Sequence, residues 1–463
     1  MAAPRRPAEG YRCVGCGAVV PAGAHPFACP ARGAGGDVEH ALERVGADVG
    51  ATWSAAWEPN PFMRWRELTW AYRFGRLNGL SETELRRIFL DLDRAVAKVD
   101  GHGFRQTPFG PTKALAERLG GAELWVKDDT GNVGGSHKAR HLMGVALYLE
   151  VAGLLGLDDG QRPLAIASCG NAALAAAVVA RAAERPLAVF IPTDADPAVV
   201  ERLEALGADV RVCPREDGVP GDPCYHAFQA AVRAGALPFC VQGPDCAVTL
   251  DGGETIAWEM AEVLEKAGGA ALDRVYVQVG GGAFATSVVH GFERAKALGA
   301  IAQVPRLIAV QTAGCWPLPR AWERVTAEAF RRLEREAPSD PRERAEALLA
   351  EPAAVEAALE HARAHRSAYM APWETPPHSV AHGILDDETY DWYALVRGML
   401  RTGGWPVVVE DDAIIEATGL ARKALKVNAS HTGAAGLAGA LVDLAQHPAS
   451  GERVAVVLSG VAR

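Results

Sequence analysis

From residue 122 onward, short uninterrupted apolar runs alternate with longer runs in which apolar residues recur every three or four positions. The uninterrupted runs read as strands buried on both faces, and the longer period reads as helix. The pattern predicts a strand over Ala122–Val126 and a helix over His141–Leu155. Strand and helix then alternate through Leu164–Ser168, Asn171–Ala183, Leu187–Ile191, Pro197–Leu206, Val210–Cys213, Tyr225–Ala234 and Phe239–Gln242. Later come a strand from Val275, a strand over Pro406–Val409, helices over Asp411–Leu425 and Thr432–Gln446, and a last strand over Val454–Leu458. Repeated strand–helix units of this length require parallel strands joined by right-handed crossovers, so the fold class is α/β with two parallel sheets.

The flanking segments carry other patterns. Residues 53–103 are first aromatic-rich and then helical, with Ser81-Glu82-Thr83-Glu84 reading as a capping box before an apolar-periodic run that ends near Val99. A charged, Ala-rich helical stretch follows Val310–Cys315 and runs to about Tyr369. It reads as a solvated helical hairpin, with a lid or an oligomer contact as the functional alternative. The expected organisation is a Cys-containing knuckle over 1–45, a helical arm over 46–106, and a large domain from 107–145 and 240–463. A small domain occupies 146–239, and a helical insertion, 316–377, lies within the large domain.

Composition narrows the function. With 463 residues, 49% of them hydrophobic, the chain can bury a large core. A formal charge of −10 argues against non-specific nucleic-acid binding, which needs a basic face. No uncharged apolar run reaches spanning length, and the first residues, Met-Ala-Ala-Pro-Arg-Arg-Pro, carry no apolar leader core. Nine scattered cysteines suit reduced thiols, and a cytoplasmic location is expected.

Four stretches carry chemistry. Asp128-Asp129-Thr130-Gly131-Asn132-Val133-Gly134-Gly135-Ser136-His137-Lys138-Ala139-Arg140 lies between predicted strand and helix, and a lysine partly desolvated beside a glycine turn is equipped to form an imine. Ser168-Cys169-Gly170-Asn171-Ala172 sets a hydroxyl and successive N–H groups at a helix start, a site for a carboxylate, against the plain reading of an N-cap. A reactive role for Cys169 finds no neighbouring base. At Gly280-Gly281-Gly282-Ala283 a strand runs through glycines into a helix, so backbone amides can close on a phosphate. The spacing also fits a dinucleotide fingerprint, but no acid between Ala295 and Thr312 is available for a ribose, which counts against that reading. Near the start, Cys13, Cys16 and Cys29 leave a structural zinc site one ligand short, with Arg32 where a fourth cysteine would stand. Either His25 or His40 completes it or the knuckle is a metal-free relic.

Taken in order, Lys127, Asp129, Asn132, Gly135-Ser136, Lys138 and Arg140 resemble the cofactor-lysine motif of the fold-type II pyridoxal-phosphate enzymes, the group of threonine synthase, threonine and serine dehydratases and tryptophan synthase β. The family's usual Asn-Pro-Thr-Gly-Ser-Phe-Lys-Asp-Arg here has Val133-Gly134 for Pro-Thr, His137 for Phe and Ala139 for Asp. Thr107–Thr112, Gly252–Glu259, His378–Ile384 and Thr432–Ala435 resemble further family segments, and the cysteine spacing is similar to the N-terminus of many threonine synthases. The resemblance, over roughly residues 105–460, implies a homodimeric pyridoxal 5'-phosphate enzyme performing elimination or replacement at the β or γ carbon of a small α-amino acid. The threonine synthase-like branch is favoured, with a threonine or serine dehydratase, or a cofactor-binding regulatory protein, as alternatives. It further implies an imine on Lys138, with the same lysine moving protons at Cα and Cβ, and a phosphate cup at Gly280–Ala283. It places Asn171 on the cofactor's 3′ oxygen, Ser168–Ala172 and Arg140 on the substrate, and Ser459 against the pyridine nitrogen. His382 would line the pocket.

Overall fold

The computed structural model describes residues 9–21, 23–33, 35–46, 50–53, 57–215 and 221–463. Residues 1–8, on which the leader reading rests, lie outside them. Three sheets organise the chain. A six-stranded sheet runs Pro406–Val409, Arg306–Thr312, Arg274–Gln278, Arg453–Leu458, Glu123–Asp128 and Phe109–Thr112, parallel except for the last. A four-stranded parallel sheet runs Asp209–Val212, Leu187–Ile191, Leu164–Ala167 and Leu237–Pro238. An antiparallel pair, Gly10–Cys13 with Leu42–Val45, belongs to the N-terminal extension.

Two strands differ from expectation. Phe109–Thr112, which reads in sequence as a Pro-rich entry turn, pairs antiparallel at the sheet edge, where Pro111 need not donate to a further strand. The sequence predicts a strand over Phe239–Gln242, yet pairing is confined to Leu237–Pro238. Phe239 N–H makes one more bond, to the Ala165 carbonyl at 2.8 Å, before the chain leaves at Gln242-Gly243-Pro244.

The central helix, Lys138–Leu154, is buried on nearly every face, which is why its sequence is apolar all round rather than striped. It begins three residues earlier than the apolar pattern suggests. Gly134 and Gly135, both at positive φ (64° and 70°), turn the chain sharply and deliver Lys138 at the first helical position. Against this helix lies Val248–Gly253, and the two backbones touch: a Cβ on Gly144 would stand 2.8 Å from Gly252 Cα.

Glu82–Asp100 starts with the full capping box of Ser81 and Glu84 and ends at Gly101 in the left-handed conformation. The helical insertion, Pro317–Arg332, Pro341–Leu349, Pro352–Ala364 and Arg366–Tyr369, is more than a solvated hairpin. It buries Trp322, Val325, Phe330, Val355 and Leu359. Its far end also grips the N-terminal extension: the Arg363 carbonyl accepts from Glu39 N–H at 2.8 Å, Arg366 N–H donates to the Asp37 carbonyl at 2.9 Å, and Ser367 Oγ donates to Asp37 at 2.7 Å.

Candidate active site

Four of the predicted site positions lie beyond the carboxyl ends of parallel strands, where α/β sheets place their ligands. Lys138 follows Glu123–Asp128, Ser168 follows Leu164–Ala167, Gly280 follows Arg274–Gln278, and Ser459 follows Arg453–Leu458. Ser459 and the lysine turn come from neighbouring strands, and their residues meet. His137 N–H donates to Ser459 Oγ at 3.2 Å, and the His137 ring reaches the same oxygen through Nδ1. Asn171 closes the other side. Its Oδ1 accepts from Arg463, whose guanidinium also donates to the Gly134 carbonyl at 2.6 Å, while its Nδ2 lies 3.1 Å from where a Cβ on Gly460 would stand.

The glycine turn is a close-approach site. A Cβ on Gly280 would lie 2.4 Å from Asp386 Oδ2, one on Gly281 2.8 Å from the Tyr390 ring, and one on Gly282 3.0 Å from Asp391 Cβ. Gly282, at φ 105°, opens the helix Ala283–Ala297, which has no capping side chain and no acid in its first turn. Its leading N–H groups are therefore free to take an anion. The Gly281 N–H already bonds one, the Asp386 carboxylate.

Lys138 faces two acids that the sequence reading did not identify. Burial lowers its ammonium, opposed by Asp386 and Asp391. Burial in turn raises Asp386 to about 6, against Lys138 and the Gly281 N–H, and raises Asp391 to about 7, against a hydrogen bond from Gly243 N–H at 3.2 Å. Asp387 and Asp222 add negative charge around Asp386, and Tyr225 meets Tyr390 across the cleft at 5.8 Å between ring centroids. Both Asp386 and Asp391 lie between the helical insertion and the helix Trp392–Thr402, in a stretch with no periodic pattern. The one sequence signal near them is a run of acids, Asp386-Asp387-Glu388, that begins one residue past the Gly383-Ile384 pair.

Two expectations change. Arg140, expected at the substrate, is fully enclosed and committed to protein groups: it donates to Asp129 at 2.8 Å, Glu259 at 2.6 Å and Thr107 Oγ1 at 3.1 Å. Lys127 joins the same buried network through Glu259 and the Thr107 carbonyl. The arginine therefore holds the lysine turn to the core and does not meet a ligand. His382, expected in the pocket, is exposed at the start of a short turn. Cys169, for which the sequence already offered no neighbouring base, stands exposed in its loop, with its thiol raised by desolvation and by Asp194.

The residues fit pyridoxal phosphate: a desolvated lysine, a glycine turn too close for any side chain, and an uncapped helix start for a phosphate. Ser136 Oγ, His137 Nε2 and His141 Nε2, all within one helical turn of Lys138, are also buried with no partner among the described residues.

Similarity to known proteins agrees with this geometry. The family described as pyridoxal-phosphate dependent enzyme matches residues 102–365, and the chain belongs to it. Within it, residues of this chain are 28% identical over 216 positions to L-serine dehydratase of Saccharomyces cerevisiae, covering 45% of this chain and 62% of that one. They are 31% identical over 214 positions to threonine synthase of Synechocystis, covering 46% and 51%. The chain thus matches about half to three-fifths of these relatives' length. Among solved structures, diaminopropionate ammonia lyase from Escherichia coli superposes with a TM-score of 0.57 at 15% identity, covering 82% of this chain and 89% of that one. The processed form of threonine deaminase isoform 2 from Solanum lycopersicum does so at 0.56 and 17%, covering 83% and 91%. Both show the fold alone, a fold-type II architecture with a large and a small sheet. Among the described residues no helix is long and apolar enough to cross a membrane.

Proposed function

We propose that the chain eliminates or replaces a substituent at the β or γ carbon of a small α-amino acid, with pyridoxal phosphate held by Lys138, Asn171, Gly280–Gly282, Ala283 and Ser459. When bound, that cofactor supplies the electron sink that makes Cα–H cleavage feasible. Lys138, its ammonium lowered by burial, is the group that takes and returns the proton at Cα. The N–H groups of Ser168–Ala172 receive the α-carboxylate. Asp386, raised to about 6, is partly protonated near neutral pH and can donate a proton to the departing group.

The observation that carries this reading is the buried carboxyl of Asp386 set against the Gly280–Gly281 turn, near enough for its charge to favour the Lys138 ammonium. It also selects among substrates. A hydroxyl or amino group needs a proton to leave, and an acid is present. A phosphate leaves without one, so the acid adds nothing to its departure. The site therefore supports the ammonia-lyase alternative better than the threonine synthase-like one. The test is turnover of serine, threonine and O-phosphohomoserine by the wild type and by Asp386→Asn. The expected result is turnover of a hydroxy amino acid that falls about 10²–10³-fold in the variant. O-phosphohomoserine as the best substrate, insensitive to Asp386, would restore the threonine synthase-like reading. Silence across the panel would favour a regulatory protein. A homodimer is carried from the family resemblance as part of this proposal.

A structural zinc ion in the N-terminal knuckle is proposed beside it. Cys13, Cys16, Cys29 and His40 place their donor atoms within 4.8 Å of one another. Cys16 Sγ lies 3.6 Å from Cys29 Sγ, and Cys13 Sγ 3.7 Å from His40 Nδ1. Those are close to the edges of a tetrahedron with zinc–sulfur bonds of about 2.3 Å, roughly 3.8 Å. His25, the other candidate, instead bonds the Tyr148 hydroxyl at 3.0 Å.

A further inference from the structure

A second polar cavity, of about 240 Å³, lies where the N-terminal antiparallel pair meets the body. Tyr11 and Arg44, register partners on that pair, supply part of its wall. His290 and Glu293 supply another part, from the helix Ala283–Ala297 whose first residue follows the glycine turn. Lys138, Asp386 and the glycine turn itself take no part in the lining.

Most charges around the cavity are matched. Arg44 meets Asp251 at 2.5 Å, Arg294 meets Glu254 at 2.9 Å, and Arg397 meets Glu43. Four polar groups remain over. Arg44 Nε–H is buried with no partner among the described residues. Tyr11 is 3% exposed, and its hydroxyl likewise has no hydrogen bond among them. Burial, with Asp251, holds Tyr11 above its ordinary range, so the hydroxyl keeps its hydrogen to donate. Glu293, half-buried, makes no hydrogen bond or ion pair with a described residue, and neither does the ring of His290 one turn before it. Burial lowers His290, which leaves a neutral ring able to donate at one nitrogen and accept at the other. Buried polar groups are normally satisfied, so four left over around one cavity call for an occupant.

The unmet groups specify that occupant. A guanidinium N–H and a phenol hydroxyl on the strand wall need an acceptor, which a carboxylate supplies best. On the helix wall the Glu293 carboxylate needs a cationic donor. The lining holds four carboxylates, Glu43, Asp251, Glu254 and Glu293, and three guanidiniums, so a simple anion or a simple cation would meet its own sign across the cavity. The volume falls below the roughly 300–1,000 Å³ of sites for drug-sized ligands, which suits a smaller molecule with both charges. We propose that this cavity binds a free α-amino acid, its carboxylate on Arg44 Nε and the Tyr11 hydroxyl and its ammonium on Glu293, at a site separate from that of the substrate. The occupant would join the N-terminal pair to the helix that starts at the glycine turn.

The experiment uses holoenzyme whose cofactor imine has been reduced with borohydride, so that an amino acid can no longer exchange into the Lys138 site. Radiolabelled common amino acids are tested one at a time by equilibrium dialysis on the wild type, Glu293→Gln and Tyr11→Phe. Propionate and ethylamine probe each end alone, and melting curves check that the variants are folded. The expected result is one saturable site per chain for at least one amino acid, weakened about tenfold or more in each variant, with both single-ended probes weaker by a similar factor. No saturable binding of any amino acid overturns the proposal. So does binding that neither variant weakens, which would place the ligand elsewhere on the chain. Propionate held as tightly as the amino acid would leave an anion site only and also overturn it. Absence of a pyridoxyl group after reduction would count against the imine on Lys138 instead, and the same dialysis on unreduced protein would then decide for this cavity.

Discussion

Asp391 shows how a carboxyl buried near Lys138 weakens the fold. Its pKa is raised to about 7, from about 3.9 in an unfolded chain, because one Gly243 N–H and Lys138 do not offset desolvation. A raised carboxyl keeps its proton in the folded state while the unfolded chain releases it. Its contribution is therefore complete below pH 4 and is lost as pH climbs to 7. Asp391→Asn, which retains an acceptor for Gly243, is expected to gain stability over wild type progressively from pH 4 to 7 and to level off above. At about 1.4 kcal/mol per pH unit the gain is a few kcal/mol at most. Urea titrations of the cofactor-free protein at pH 5 and 8 measure it, and equal differences at both would refute the assignment. Arg140 is the opposite case, a buried charge whose partners are all in place. Arg140→Ala strands Asp129 and part of Glu259 and is expected to cost about 3–5 kcal/mol in thermal or urea unfolding. A stable variant with only a raised KM would return Arg140 to the substrate.

At the scale of elements, the contact of Lys138–Leu154 with Val248–Gly253 fixes where the lysine stands. Gly144→Ala would set a methyl 2.8 Å from Gly252 Cα and 2.9 Å from its nitrogen, and neither is the end of a flexible side chain. A loss of about 1–3 kcal/mol is expected, with reduced turnover as the helix shifts. In the same helix Gly153→Ala meets only the Asp158 carbonyl at 3.6 Å and should be neutral or stabilising in the same melts. These helices and the core strands were legible because period and burial wrote the same pattern into the sequence. Glu82–Asp100, Asn171–Ala182 and Pro406–Val409 lie within a residue or two of their predicted ends. Phe109–Thr112 was not legible, since an edge strand with a proline has neither an apolar run nor an alternation to announce it. The site was half legible. Glycine turns and a lysine at fixed spacing carry their chemistry locally, and Ser459 follows a strand. Asp386 and Asp391 acquire their roles only from what the fold sets opposite them, and the buried placing of Arg140 depends on Glu259, 119 residues away.

For the whole molecule, the N-terminal knuckle gathers the proposed zinc ligands within itself and is tied to the body at residues 245–251 and at the insertion. Zinc analysis is expected to give one ion per chain, abolished by Cys16→Ser or His40→Ala and retained in His25→Ala, with a lower melting temperature when a chelator removes it. Zinc retained in His40→Ala would leave three thiolates as the site. The ties between Asp37 and the Arg366–Ser367 turn span 330 residues. During synthesis the chain emerges from its amino end, and domains tend to fold as they emerge. The knuckle is thus among the first segments made, and its ties at Asp37 wait for a helical turn that arrives after both strands of the glycine and lysine turns. A chain cut short before Arg363 would keep its amino end by the earlier ties of Phe27, Arg32 and Arg44 to residues 245–251, and Glu39 and Asp37 would stand without their partners, a loosened end that a protease could read as unfinished translation.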